Sequence, residues 1–292
     1  MADPGGVSGQ SSGAPGAPGA TGEGRLADGT FYRHWPVANP VAVVLLAHGA
    51  GEHSGRYAAV AGWLNERGIA VLAPDHRGHG ESPGYRAHID RFDDFFPPLD
   101  ALRDRIAEDY PDLPCFLVGH SMGGLIAARY LLDRQDRFTG AALSGAALAV
   151  AEPPSVVAIW INRLLAALFP RLGVLQLDAG GISRDPEVVA AYRADPLVHS
   201  GKFSARFVVE LFSAMGEVAA RRGELRLPLL VMHGDADAMT APAGSEDFVA
   251  GAGAEDKTLR LYPGLYHEIF NEPERETVLA DLYDWLRARC PP

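Results

Sequence analysis

Only two cysteines, Cys115 and Cys290, occur in the 292 residues, too few for a disulfide framework or a cysteine-bound metal cluster. Basic charge is also short: 26 Lys and Arg stand against 37 Asp and Glu, a formal net charge of −11. Nucleic acid and anionic lipid are held by clustered positive charge, so no nucleic-acid partner is expected and any contact with a lipid surface would have to be apolar. No uninterrupted apolar stretch reaches the roughly 20 residues of a membrane span, and the first residues offer neither a basic nor an apolar signal region. A cytoplasmic protein is expected, with peripheral membrane contact left open. His76 and His79 with Asp75 lack the helical spacing or second cluster of a metal site and are read as a structural turn, so neither metal nor cofactor is expected.

What is present is apolar residue in quantity, 47% of the chain, enough for the core of one large domain with an insertion. Residues 1–24 are nearly all Gly, Pro, Ala and Ser, a composition that cannot offset the entropy of ordering, and are read as a disordered tail. After it, short apolar runs alternate with helical periodicity. Strands are expected at Thr30 to Trp35, Val41 to Ala47, Ile69 to Ala73, Pro114 to Val118 and Gly140 to Gly145, and helices at Tyr57 to Arg67, Phe92 to Asp109 and after Met122. That alternation predicts an α/β fold with a mostly parallel, helix-covered sheet. It breaks at residue 147. Residues 147–226 look helical throughout and read as a cap inserted between core segments 25–146 and 227–292, where strands near Leu227 to His233 and Thr258 to Tyr262 and a last helix from Glu274 to Arg289 complete the sheet.

The chain is organised around Gly119-His120-Ser121-Met122-Gly123, a G-x-S-x-G pattern between an apolar run and a helix. A glycine-rich loop carrying an ordinary serine is the competing reading. The strand-turn-helix setting favours a nucleophile elbow, in which small neighbours let strand and helix approach and Ser121 stands at the helix N-terminus. There the Met122 N–H and the positive end of the helix face the site of a developing oxyanion. The loop after the Val41 to Ala47 strand, His48-Gly49-Ala50-Gly51, would bring a second donor, the Ala50 N–H. A serine nucleophile needs a base, and the base an orienting acid. His267 is the only histidine after the candidate acids, which are Asp235 and Asp237 in the loop after the Leu227 to His233 strand. Asp237, further into the loop, is better able to reach back to an imidazole. The order Ser, Asp, His is that of an α/β-hydrolase.

His48 to Tyr57 (HGAGEHSGRY), Asp75 to Ser82 (DHRGHGES), Gly119 to Gly124 (GHSMGG) and Tyr262 to Glu274 (YPGLYHEIFNEPE) together resemble the monoacylglycerol lipases, the bacterial form in particular. The likeness extends into the cap at Ile182 to Pro186 and Tyr192 to Leu197. It implies Ser121 as nucleophile, Asp237 as acid, His267 as base, and Ala50 and Met122 as oxyanion donors. It further implies that Glu52, Arg56 and Tyr192 lie near the glycerol end of a monoacylglycerol or similar single-chain lipid ester, a structural salt bridge being the competing reading. Mammalian members carry a second histidine shortly after the base, where this chain has Phe270. The expected reaction is ester hydrolysis through an acyl-enzyme; lysophospholipase, general carboxylesterase and acyltransferase activity use the same triad, and a noncatalytic binding protein is the reading from another class. Finally, Val156 to Phe169 is apolar on almost every face, so it is either buried or turned toward something apolar. Two readings stand side by side: the helix packs wholly against cap and core, or the side around Trp160, Leu164 and Leu168 lies at the pocket mouth and dips into lipid.

Overall fold

The computed structural model describes residues 22–150 and 155–291. From the N-terminal side the chain runs β1 (Gly22–Arg25), β2 (Phe31–Trp35), β3 (Ala42–Ala47), α1 (Ala58–Asn65), β4 (Ile69–Pro74), α2 (Phe96–Asp109), β5 (Cys115–His120), α3 (Met122–Arg134) and β6 (Gly140–Ser144). It then leaves the sheet for α4 (Val156–Leu168), β7 (Gly173–Leu175), α5 (Pro186–Ala194), β8 (Phe203–Ser204) and α6 (Ala205–Arg221). It returns through β9 (Leu229–Gly234), α7 (Pro242–Gly251), β10 (Lys257–Tyr262) and α8 (Arg275–Arg287).

The main sheet has the order β1-β2-β4-β3-β5-β6-β9-β10. From β4 to β10 every pairing is parallel, and β1 and β2 are antiparallel. This is the α/β-hydrolase fold. The continuous apolar runs of β3, β4 and β5 follow from it: strands covered by helices on both sides need apolar residues at every position. Val43, Leu45 and Leu117 point to the face covered by α2 and α3, and Val44, Leu46 and Phe116 to the face covered by α1 and α8. Phe116 is completely buried, and burying such a side chain contributes about 1.5–3 kcal/mol.

Three local features depart from the sequence reading. Residues 1–21 of the expected tail lie outside the described residues, but Gly22–Arg25 pairs with β2, so order begins before residue 25. A strand can be held by backbone hydrogen bonds with no apolar side chain, and a Cβ at Gly24 would lie 2.5 Å from the Tyr32 hydroxyl that covers it. The cap is not wholly helical, because β7 and β8 pair antiparallel within it, and two or three residues are too few for alternation to register. Helix α7 buries only Ser245 and Phe248 and so carried almost no helical period to read.

Candidate active site

All the strands that carry candidate residues run parallel, so their C-terminal ends open on one edge of the sheet. Ser121 follows β5, the loop with Ala50 follows β3, Asp237 follows β9 and His267 follows β10. Ser121 has φ 54° and ψ −119°, a conformation a side chain rarely adopts. Its own amide donates to Ser144 O at 2.9 Å, and its carbonyl accepts from Leu125 and Ala147 at 3.1 and 3.0 Å, which hold the turn in place. The flanking glycines are steric requirements. A Cβ at Gly119 would sit 2.3 Å from Gly123 O, and one at Gly123 would sit 2.0 Å from Ala47 O.

His267 Nε2 lies 2.8 Å from Ser121 Oγ, and His267 Nδ1 lies 2.7 Å from Asp237 Oδ2. A carboxylate only accepts, so Nδ1 carries the proton and Nε2 presents a lone pair to the serine hydroxyl. The Asp237 side chain is wholly shielded from solvent. Burial works to raise its pKa, but hydrogen bonds from His233 and His267 and the Thr240 amide outweigh this and hold it well below the usual carboxylate range. Asp235, by contrast, is exposed, and its Oδ1 accepts from Gly264 N at 2.6 Å, which fixes a neighbouring turn. The His120 ring stands 4.8 Å from that of His267. Burial lowers the His120 pKa to about 3, so this neighbour stays neutral beside any imidazolium that forms.

Among the described residues neither the Ala50 nor the Met122 amide has an acceptor. Met122 is the first residue of α3, where such a free donor is expected. The Ala50 loop is held from both sides: Gly49 N donates to Glu52 Oε1 at 2.6 Å, and Gly51 O accepts from His199 N of the cap at 2.7 Å.

Glu52, Arg56 and Tyr192 come together, and a residue missed in the sequence joins them. Arg56 gives Nη1 to Glu52 Oε2 at 2.6 Å and both terminal nitrogens to Glu268 at 2.6 and 2.8 Å, while its guanidinium lies 4.6 Å from the centre of the Tyr192 ring. Burial would raise the Glu52 pKa, but Arg56 overrides it and brings the group down to about 2. The arginine therefore stays charged between two carboxylates, as a buried ion must. Glu268 is 212 positions from Arg56, and its only advance signal was its place beside His267. Thr240 and His233, both in contact with Asp237, were missed as well. Phe270 is packed in the core. Among the described residues no group of three or more metal-binding side chains occurs, and His76 and His79 are buried against Phe95, Phe203 and Phe207.

A family model described as serine aminopeptidase, S33, matches residues 38–274. The chain is 43% identical over 256 residues to a monoacylglycerol lipase of Mycolicibacterium smegmatis, covering 87% of this chain and 91% of that one. It is 36% identical over 279 residues to the monoglyceride lipase of Mus musculus, covering 91% and 92%. Among solved structures, the monoacylglycerol lipase of Paleococcus ferrophilus superposes with a TM-score of 0.81 at 33% identity, over 89% of this chain and 99% of that one.

Proposed function

We propose that this chain, which belongs to the serine aminopeptidase S33 family and is similar over most of its length to monoacylglycerol lipases, is a serine hydrolase cleaving monoacylglycerols into fatty acid and glycerol. The observation that carries the chemistry is the hydrogen-bonded series Ser121, His267, Asp237, with distances of 2.8 and 2.7 Å, beside two backbone amides free to donate. Ser121 Oγ attacks the ester carbonyl as its proton passes to His267 Nε2, and Asp237 steadies the imidazolium. The tetrahedral oxygen is received by the Ala50 and Met122 amides, each contributing about 3 kcal/mol to lowering the barrier. Glycerol departs with the proton from His267, and water repeats the sequence on the acyl-enzyme. At the polar end, Glu52 and Arg56 fix the wall, and the Tyr192 hydroxyl, which has no protein partner among the described residues, meets the free hydroxyls of the head group. A fluorophosphonate probe should label the enzyme at Ser121, and monoacylglycerol should outrank triacylglycerol and lysophospholipid in the same dispersed state. Equal rates on mono- and triacylglycerol refute the substrate assignment, and failure of the probe refutes the serine hydrolase.

The substrate is insoluble, and no helix among the described residues is long and apolar enough to cross a membrane. Helix α4 offers another means of access. Trp160, Leu164 and Leu168 are 66%, 60% and 63% exposed, with Val156, Val157, Ile161 and Phe169 exposed around them. The opposite side packs on α6 through buried Ala166, and Asn162 donates to Ala205 O at 3.3 Å. A helix with this division lies in a lipid interface and needs no basic patch to do so. Leu164→Asp with Leu168→Asp should weaken liposome binding and hydrolysis of dispersed long-chain substrate, with soluble-ester activity and melting temperature near wild type. Loss of both activities with a large fall in melting temperature would show a structural helix instead.

A further inference from the structure

The carboxylate of Asp237 receives more donors than a triad acid requires. Oδ1 accepts the backbone N–H groups of Met239 and Thr240 at 2.7 and 3.0 Å. Oδ2 faces His267 Nδ1 at 2.7 Å, Thr240 Oγ1 at 2.8 Å and His233 Nε2 at 3.1 Å. The reaction described above uses only the contact with His267. His233 lies in β9, four residues before Asp237, with its side chain wholly shielded from solvent. Its second nitrogen, Nδ1, meets Ser245 Oγ of α7 at 2.7 Å. A carboxylate has no proton to give, so His233 Nε2 carries the hydrogen, its Nδ1 presents a lone pair, and Ser245 donates to it. The opposite tautomer would set a lone pair against an anion in a dry interior, which is costly. Two imidazoles thus donate to the same oxygen, one from the reacting side and one from behind.

We propose that His233 is a positioning residue: by giving Nε2–H to Asp237 Oδ2 it fixes the carboxylate's rotation and disperses its charge, and so sets how tightly Asp237 holds the imidazolium on His267. This rests on reading Ser121, His267 and Asp237 as the reacting set. The pKa of Asp237 agrees in direction, since burial raises it and the His233 hydrogen bond leads the contacts that bring it down. Without that donor, more negative charge remains on the oxygen facing His267. The charged form of the base is then favoured, and the acid limb of kcat/KM, which reports neutral base, moves upward. The other groups facing the pair are His120 from β5, with the Glu52–Arg56 ion pair behind it, Glu268 next in the chain, and Thr240, which donates to Asp237 and also lies 3.0 Å from Gly145 O. Of these, only Thr240 touches His233, its Oγ1 lying 3.2 Å from His233 Nε2, and it keeps its own contact with Asp237 Oδ2 when residue 233 is changed.

The experiment measures kcat and KM against pH on a soluble short-chain ester for His233→Leu, His233→Gln and Ser245→Ala. Ser121→Ala tests the underlying reading separately: if it hydrolyses normally, the reacting set is wrong whatever His233 does. His233→Leu should lower kcat about tenfold with KM little changed, and raise the acid limb by roughly 0.5–1 pH unit. His233→Gln, whose amide N–H reaches toward the same oxygen, should recover most of kcat and bring the limb back. Ser245→Ala leaves the Nε2 hydrogen in place but removes the group that fixes the tautomer, so it should move the limb the same way by less, and it serves if the leucine variant does not fold. A fall in kcat with an unmoved acid limb, a glutamine variant no better than leucine, or, where leucine does not fold, an unmoved limb in Ser245→Ala, each overturns the proposal.

Discussion

Replacing Gly123 with alanine would put one carbon atom where strand and helix already touch. The new Cβ would lie 2.0 Å from Ala47 O and 2.5 Å from both Ala47 C and His48 O, all backbone atoms that no rotamer change can move. Ordinary contact begins at 3.4 Å, so the gap must open by about 1.4 Å. On one side of that gap is the first turn of α3 with the Met122 amide, and on the other the end of β3 leading to Ala50. The change therefore alters the separation of the two proposed oxyanion donors as well as the packing. Overpacking of this kind costs about 1–3 kcal/mol of stability, and each kcal/mol lowers the melting temperature of a chain this size by about 2 °C. A displacement of about 1 Å at reacting groups costs on the order of 100-fold in rate, and loss of one oxyanion donor about 100- to 1,000-fold. We expect kcat on a soluble short-chain ester to fall by about 100-fold or more in protein that circular dichroism shows to be folded, well below its own melting temperature. Gly216→Ala in α6 is the control, because a Cβ there meets nothing within 4 Å. It should stabilise by about 0.5–1 kcal/mol and leave kcat alone. A folded Gly123→Ala enzyme with wild-type kcat would refute the account of how the elbow positions its donors.

Asp237→Asn should lower kcat by about 10,000-fold, because a neutral amide no longer holds the reactive tautomer of His267. Asp235→Asn should leave kcat within a few-fold, and the reverse order in folded protein would reassign the acid. Acidification should destabilise the fold well above the carboxylate range. Burial lowers the pKa of His48, takes that of His76 well down, and brings His79 and His120 to about 3. Below their ordinary value of 6.5 the unfolded chain takes up protons that the folded chain refuses. Their stabilising contribution is therefore present above pH 6.5 and falls with acid, at up to about 1.4 kcal/mol per pH unit for His79 and for His120 until the pH nears their lowered values. Glu52, ordinarily near 4.5 and here about 2, adds a loss of the same sign between those values. Calorimetric melting temperatures from pH 8 to pH 4 test this, and a flat profile between pH 6.5 and 5 refutes it.

Much of the fold lay in short-range pattern. Strands buried on both faces must be apolar at every position, so β3, β4 and β5 were visible as unbroken runs, and the turn carrying Ser121 had to be built from glycines because Cβ atoms at residues 119 and 123 have no room. The order of the proposed serine, acid and histidine is likewise a property of the chain. Where short-range signals were silent or tied, only packing decided. Asp235 and Asp237 share one loop and one chemistry, and the difference is that one carboxylate lies exposed on the Gly264 amide while the other is sealed against His267. Strand β1 needs no apolar residue because β2 supplies its hydrogen-bond partners. Glu268 and Arg56 pair across 212 positions, and His233 reaches Asp237 from β9 while Ser245 holds it from α7. Periodicity and turn chemistry act over a few residues, whereas a buried charge takes its partners from whichever strands and helices the folded sheet brings beside it.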